Sequence, residues 1–155
     1  MRAVANNTQF DKLGDMRVET LPFEINTRGH GEVLNLTNTV SDLVAQSGVT
    51  SGMATAFVVG STAGITTTEF EPGLANHDLH AAFERIAPAS GTYQHEATWN
   101  DDNGHSHIQA SLLGPSLTIP IVNGLLTLGT WQQIVLIDFD TRARRRKVIV
   151  QVLGE

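Results

Sequence analysis

The end of the chain limits the fold most. Two long stretches rich in Val, Ile and Leu, Gln132 to Phe139 and Lys147 to Leu153, are separated only by the turn Asp140 to Arg144 and two further arginines. Stretches of this length, bounded by a polar turn, are strand material. Their closeness in sequence predicts a closing antiparallel hairpin. Upstream, Leu117 to Val122, the turn Asn123-Gly124 and a short strand from Leu125 make the whole C-terminal third strand-rich.

The first half mixes periods. Met16 to Thr27 alternates through Val18, Leu21, Phe23 and Ile25 and reads as a strand interrupted by Pro22. Arg28-Gly29-His30-Gly31 is a turn. A brief strand, Leu34 to Leu36, precedes the cap cluster Thr37-Asn38-Thr39. A short helix follows, with Val40, Leu43 and Val44 on one side and Gly48 just past its end. Met53 to Gly60 and Ile65 to Phe70 are the next strands. The spacing of Leu79, Ala82, Phe83 and Ile86 predicts a helix over Leu74 to Ile86, stopped by Pro88. Asn103 can cap another helix, Gly104 to Leu113, with Ile108 and Leu112 one turn apart; a strand is the alternative there. Strands interrupted by a few short helices, without a regular βαβ rhythm, indicate α+β. The expectation is one domain, residues 1–155, with a mixed or antiparallel sheet sandwich. Residues 1–15, polar and aperiodic, read as a loosely held arm.

Composition narrows the chemistry. The chain has no cysteine, which removes disulfides, thiolate metal sites and thiol nucleophiles. A net charge of -6 gives no electrostatic case for nucleic acid or an anionic membrane. No apolar leader or spanning run is present, and the expected setting is cytoplasmic. No P-loop, dinucleotide fingerprint, HExxH or nucleophile elbow occurs.

Chemistry concentrates in YQHEATWNDDNGHSH, residues 93–107, which holds three of the six histidines with three acidic residues. Neutral imidazoles and carboxylates bind divalent metals and move protons near pH 7. His95, His105 and His107 can hold Zn²⁺ or another divalent ion such as Mg²⁺ with a position left open; the alternative is a hydrated loop. Glu69 and Asp78 flank a turn into a helix, either as caps or as a general base and an orienting partner. Ser61 and Thr62 can donate to a phosphate. Trp131, between Thr130 and Gln132, offers a ring for stacking beside an amide, or an anchor between subunits. His77, His80 and Glu84 read as surface residues. Arg142, Arg144, Arg145, Arg146 and Lys147 read as a solvated basic run.

Several of these segments together resemble the YjbQ family, small proteins assigned a secondary thiamine-phosphate synthase activity. They are GSTAGITTTEFEPG (60–73), Asp78, YQHEATWNDDNGHSHIQASLLGPSLTIP (93–120), NGLLTLGTWQQIVLIDFD (123–140) and the terminal VQVLGE. The resemblance implies an α+β fold, a homotrimer and a polar, histidine-containing site for a small phosphorylated metabolite. It implies catalytic roles for Glu69, Asp78, His95 and His107, and substrate contacts at Ser61, Thr62, Asn103, Thr130, Trp131 and Gln132. Many relatives carry His-Thr-Thr-Ala where this chain has Gly60-Ser61-Thr62-Ala63. His105, at a place where many relatives have a small residue, is expected to fill the space that the missing histidine vacates. Metal-assisted hydrolysis and non-catalytic ligand binding are the rival functions.

Overall fold

The computed structural model describes residues 16–155. The expected N-terminal arm lies outside the described residues. Among the described residues eight strands form two sheets, and every pairing is antiparallel. The strands are β1 (Arg17–Thr27), β2 (Glu32–Asn35), β3 (Ser51–Val59), β4 (Ala63–Glu69), β5 (Ser116–Val122), β6 (Leu125–Leu126), β7 (Gln132–Asp138) and β8 (Arg144–Gly154). One sheet has the order β1-β8-β3-β5-β6 and the other β2-β7-β4. The helices are α1 (Thr37–Ser47), α2 (Leu79–Ile86), α3 (Gln94–Trp99) and α4 (Gly104–Leu113), with a π-helical turn, Leu74–Asp78, leading into α2.

The expected hairpin does not form. β7 and β8 belong to different sheets, and Phe139 to Ala143 carries the chain across between them. Burial explains the outcome. β7 is apolar on both faces: Ile134 and Leu136 enter the core between the sheets, while Val135 and Ile137 face a second cluster with Phe139 and Ala110. A continuous apolar run is the mark of a strand covered on both sides. β8 instead alternates, with Val148, Val150 and Val152 inward and Arg145, Lys147 and Gln151 outward, as a strand with one wet face does.

The molecule therefore has three layers. The five-stranded sheet packs its inner face on the three-stranded sheet, and Val40 and Val44 of α1 join that core. Leu79 and Phe83 of α2 and Leu113 of α4 pack against the far side of β7. Gly64 on β4 permits the approach of α4, since a Cβ there would lie 2.8 Å from both the Gly114 carbonyl oxygen and Leu113 Cδ2. Pro22 is tolerated because β1 lies at the sheet edge among the described residues, bonded there to β8 alone. Ile86, Ile108 and Leu112 are exposed, so the apolar stripes expected on α2 and α4 are only partly used. α4 buries Ser106, Gln109 and Ala110 instead. The cap of α1 comes from Asn35, whose Oδ1 accepts the Thr37 N–H at 2.9 Å, while Gly48 ends the helix in the left-handed region as expected.

The basic run is not uniformly solvated. The alternation of β8 turns Arg146 inward, where it is 7% exposed. Its Nε and Nη2 donate to Asp138 Oδ2 and Oδ1 at 2.7 and 2.6 Å, joining the two sheets. Thr27 Oγ1 also donates to Asp138, and Arg146 Nη2 donates to Thr62 at 2.7 Å. Arg145 and Lys147 do face solvent. Removing one partner of a buried pair strands the other charge. Arg146→Met should cost about 3–5 kcal/mol in urea denaturation, and Asp138→Leu added to it should recover part of the loss. A double variant less stable than Arg146→Met alone would contradict this reading.

Candidate functional site

The site forms where β7 ends. Beyond it, Asp140 projects from the crossover, and the loop before α4 lies alongside. Two clasps hold these segments together: Thr141 Oγ1 donates to Asp102 Oδ1 at 2.8 Å, and Ser106 Oγ donates to the Phe139 carbonyl at 2.6 Å. α3 and α4, which follow one another across the loop 100–103, then bring two histidine rings together. The ring centroids of His95 and His107 are 4.5 Å apart, inclined at 56°. His95 Nε2 lies 3.3 Å from Asp101 Oδ2.

His107 has its proton affinity pushed below the ordinary imidazole value. Burial is the largest cause and the neighbouring His95 the second; a backbone hydrogen bond at Ser61 and the carboxylates of Asp101 and Asp140 oppose them. His107 is thereby kept neutral near pH 7, able to accept a proton. Burial alone would raise Asp140, yet its carboxyl is held below the usual range. Hydrogen bonds from Arg144 and Thr62, and the charges of Arg144 and Arg146, outweigh burial. Arg144 Nε and Thr62 Oγ1 donate to its Oδ2 at 2.9 and 2.8 Å.

The residues expected to form one site separate into three places. His95, His107, Ser61, Thr62 and Asn103 gather around Asp140 and the loop before α4. Glu69 lies at the other end of β4, paired in register with Gln132, and lines a shallow cleft of about 310 Å³ with Trp131. Thr130 and Trp131 form the exposed turn before β7, and Gln132 Nε2 donates to Thr67 Oγ1 at 2.8 Å. Asp78 is exposed on the π-helical turn, 3.1 Å from His77. Asp101, Asp138, Asp140 and Arg146 were not among the expected site residues. The inward register of β8 and the end of the apolar run at Asp138 and Asp140 are the signals that could have found them.

His105 does not join the pair. Two residues from His107 on a helix, it is turned about 200° away. It is buried beside Tyr93, with ring centroids 6.2 Å apart. Nor does it fill the space at Gly60: the side-chain atom there is Arg146 Nη1, 3.0 Å from where a Cβ would stand. Gly60 has φ +139, a conformation that a side-chain-bearing residue would adopt only under strain. Among the described residues, no three His, Asp or Glu side chains group closely enough to hold a metal ion. A resident zinc takes three or four protein ligands, and this donor set does not fit one.

Fold and site together define a small α+β sandwich with a histidine pair at the crossover between its sheets. The family model for UPF0047 protein YjbQ-like matches residues 22–155, and the chain belongs to this family. It is 35% identical to a UPF0047 protein of Methanothermobacter thermautotrophicus over 140 residues, 90% of this chain and 95% of that one. To UPF0047 protein YjbQ of Escherichia coli O157:H7 it is 30% identical, covering 88% and 97%. The crystal structure of a YbjQ-like protein from Sulfolobus solfataricus superposes with a TM-score of 0.85 at 33% identity, covering 90% and 99%.

Asn103 stands at the cap position of α4, but its side chain caps nothing. Replacing a capping Asn by Ala usually costs about 1 kcal/mol. Asn103→Ala should therefore leave the thermal midpoint unchanged or slightly higher. A drop equivalent to a lost cap would contradict the arrangement.

Proposed function

We propose that His95 and His107 form an acid–base centre acting on a small phosphorylated metabolite. The close imidazole pair, with His107 held neutral and His95 held by Asp101, carries this reading. A neutral imidazole accepts a proton from a nucleophile or bound water, and its partner can return one to a leaving oxygen. Ser61, beside His107, supplies a hydroxyl for a phosphate oxygen. The family resemblance directs the first assay to thiamine-phosphate-type coupling. In that reaction a thiazole nitrogen forms a bond to an aminopyrimidine methyl carbon as the carbon–oxygen bond to pyrophosphate breaks. The thiazole nitrogen has no proton to give up, so the leaving group departs with the electron pair and takes up a proton from an imidazolium of the pair, which regains it from water. Hydrolysis of a phosphorylated metabolite is the second reading, favoured by a neutral base suited to activating water.

Thiamine phosphate and released phosphate should be measured in parallel, from a pyrimidine diphosphate with and without a thiazole phosphate. His107→Ala should lower whichever turnover is found by about 10²–10⁴-fold, with the melting temperature nearly unchanged. Full turnover in the variant would reject the acid–base role.

The proposal extends to assembly as a closed homotrimer. The outer face of the five-stranded sheet supports it, since Val18, Met53, Phe57, Val59 and Val122 are exposed on that face. An apolar patch of this kind marks an interaction surface, and closed symmetry would bury it. Light scattering at micromolar concentration should give three times the chain mass, and a monomer would exclude this assembly.

A further inference from the structure

Among the described residues, three buried oxygens near the histidine pair have no hydrogen-bond partner: Asp140 Oδ1, Asp101 Oδ1 and Asn103 Oδ1. Asp140 is 1% exposed and Asn103 8%. Protein interiors rarely leave such acceptors unpaired. Two of them also have a local solution that they do not use. Asn103 at the start of α4 could take a helix N–H and does not. Asp140 gives its other oxygen, Oδ2, to Thr62 and Arg144, while the Nε of Arg142 stays 4.0 Å from Oδ1, too far for a hydrogen bond. Asp101 turns Oδ2 to His95 and leaves Oδ1 bare.

The three acceptors lie on two segments that are clasped together. Asp101 and Asn103 lie in the loop before α4, and Asp140 lies in the crossover that Thr141 and Ser106 clasp to that loop and helix. Both carboxylates act on His107. Two are carboxylate oxygens and one is an amide oxygen, so a group that satisfies them brings N–H donors or positive charge, and a cationic donor brings both. A metal ion fits less well, since Ca²⁺ takes six to eight oxygen ligands and only three unpaired oxygens are offered here.

We propose that Asp101, Asn103 and Asp140 form a subsite for a cationic N–H group, an ammonium or amidinium, on the molecule that the histidine pair acts on. This rests on the reading of that pair as a reaction centre and adds the chemistry of the substrate: one end phosphorylated, the other a nitrogen cation. Subsite and imidazoles would hold the nitrogen end in a fixed relation to the acid–base groups, which is what orientation contributes to rate.

The test is calorimetric titration of the full chain with acetamidinium chloride, tetramethylammonium chloride and magnesium chloride at matched ionic strength. Acetamidinium should bind one per chain in the millimolar range open to so small a ligand. Tetramethylammonium, with the same charge and no N–H, should not bind. Asn103→Ala, which breaks no cap, and Asp101→Asn should each weaken acetamidinium about tenfold, the usual worth of a hydrogen bond to a charged group. His107→Ala should bind it normally while losing turnover, so failure of the subsite and failure of the acid–base reading are separable. Equal binding of both organic cations, magnesium binding without acetamidinium, or a crystal soak with ordered water alone on the three oxygens would each overturn the proposal.

Discussion

The Arg146–Asp138 pair is the interaction on which the rest of the structure depends. The two residues come from β8 and β7, in different sheets, and the guanidinium meets the carboxylate through two bonds. A buried pair of this kind adds little net stability, because desolvation offsets the attraction. What it contributes here is alignment. Thr27, Thr62 and the Asp140 N–H converge on the same two side chains. The crossover after β7 is thereby fixed, and Asp140 with it. The His30 and Gly31 amides close the other side by donating to the Asp140 and Asp138 carbonyls at 2.7 Å each.

From that anchor the site follows in short steps. Asp140 holds Arg144 and Thr62. Its neighbours Phe139 and Thr141 receive α4 and the loop before it. α4 then sets His107 against His95. The arrangement places a low-affinity imidazole next to carboxylates that each have one oxygen engaged, so the chemistry is tuned by packing as much as by charge. For Asp140 the sign of the coupling is clear. A carboxyl whose folded pKa is depressed contributes stability above its unfolded value, near 4, and that contribution is lost as pH falls through the folded value.

Much of this was legible in the sequence, for physical reasons that differ by segment. The strand content and the turn at Arg28 to Gly31 announced themselves by period and by turn chemistry, whereas α4 stayed open between helix and strand because its apolar pair, Ile108 and Leu112, is exposed. The stretch 93–107 announced the histidine pair by crowding polar groups that a core would reject. The β7–β8 hairpin was misread because adjacency in sequence was weighed above pattern. The unbroken run IVLIDF needs cover on both faces and cannot share the half-wet environment of VIVQV. Once those strands part, Arg146 must face inward, and a basic run stops being surface. His105 was expected beside Gly60 because the resemblance leaves a histidine missing there; a position near the pair in sequence does not give its direction, and on α4 residues i and i+2 point apart. α3 was invisible, its six residues too few to show a period.

The central claim is that packing beside His95 keeps His107 neutral, and two-dimensional NMR of the imidazole nitrogens against pH tests it most directly. His107 should titrate below the free-imidazole value of about 6.5, and in His95→Gln it should move upward, because that variant removes the neighbouring charge while leaving most of the burial. The folded state would then bind fewer protons than the unfolded chain in this window, so stability should fall as pH drops below about 6.5. A His107 that titrates at or above the free value, unmoved by His95→Gln, would contradict the account.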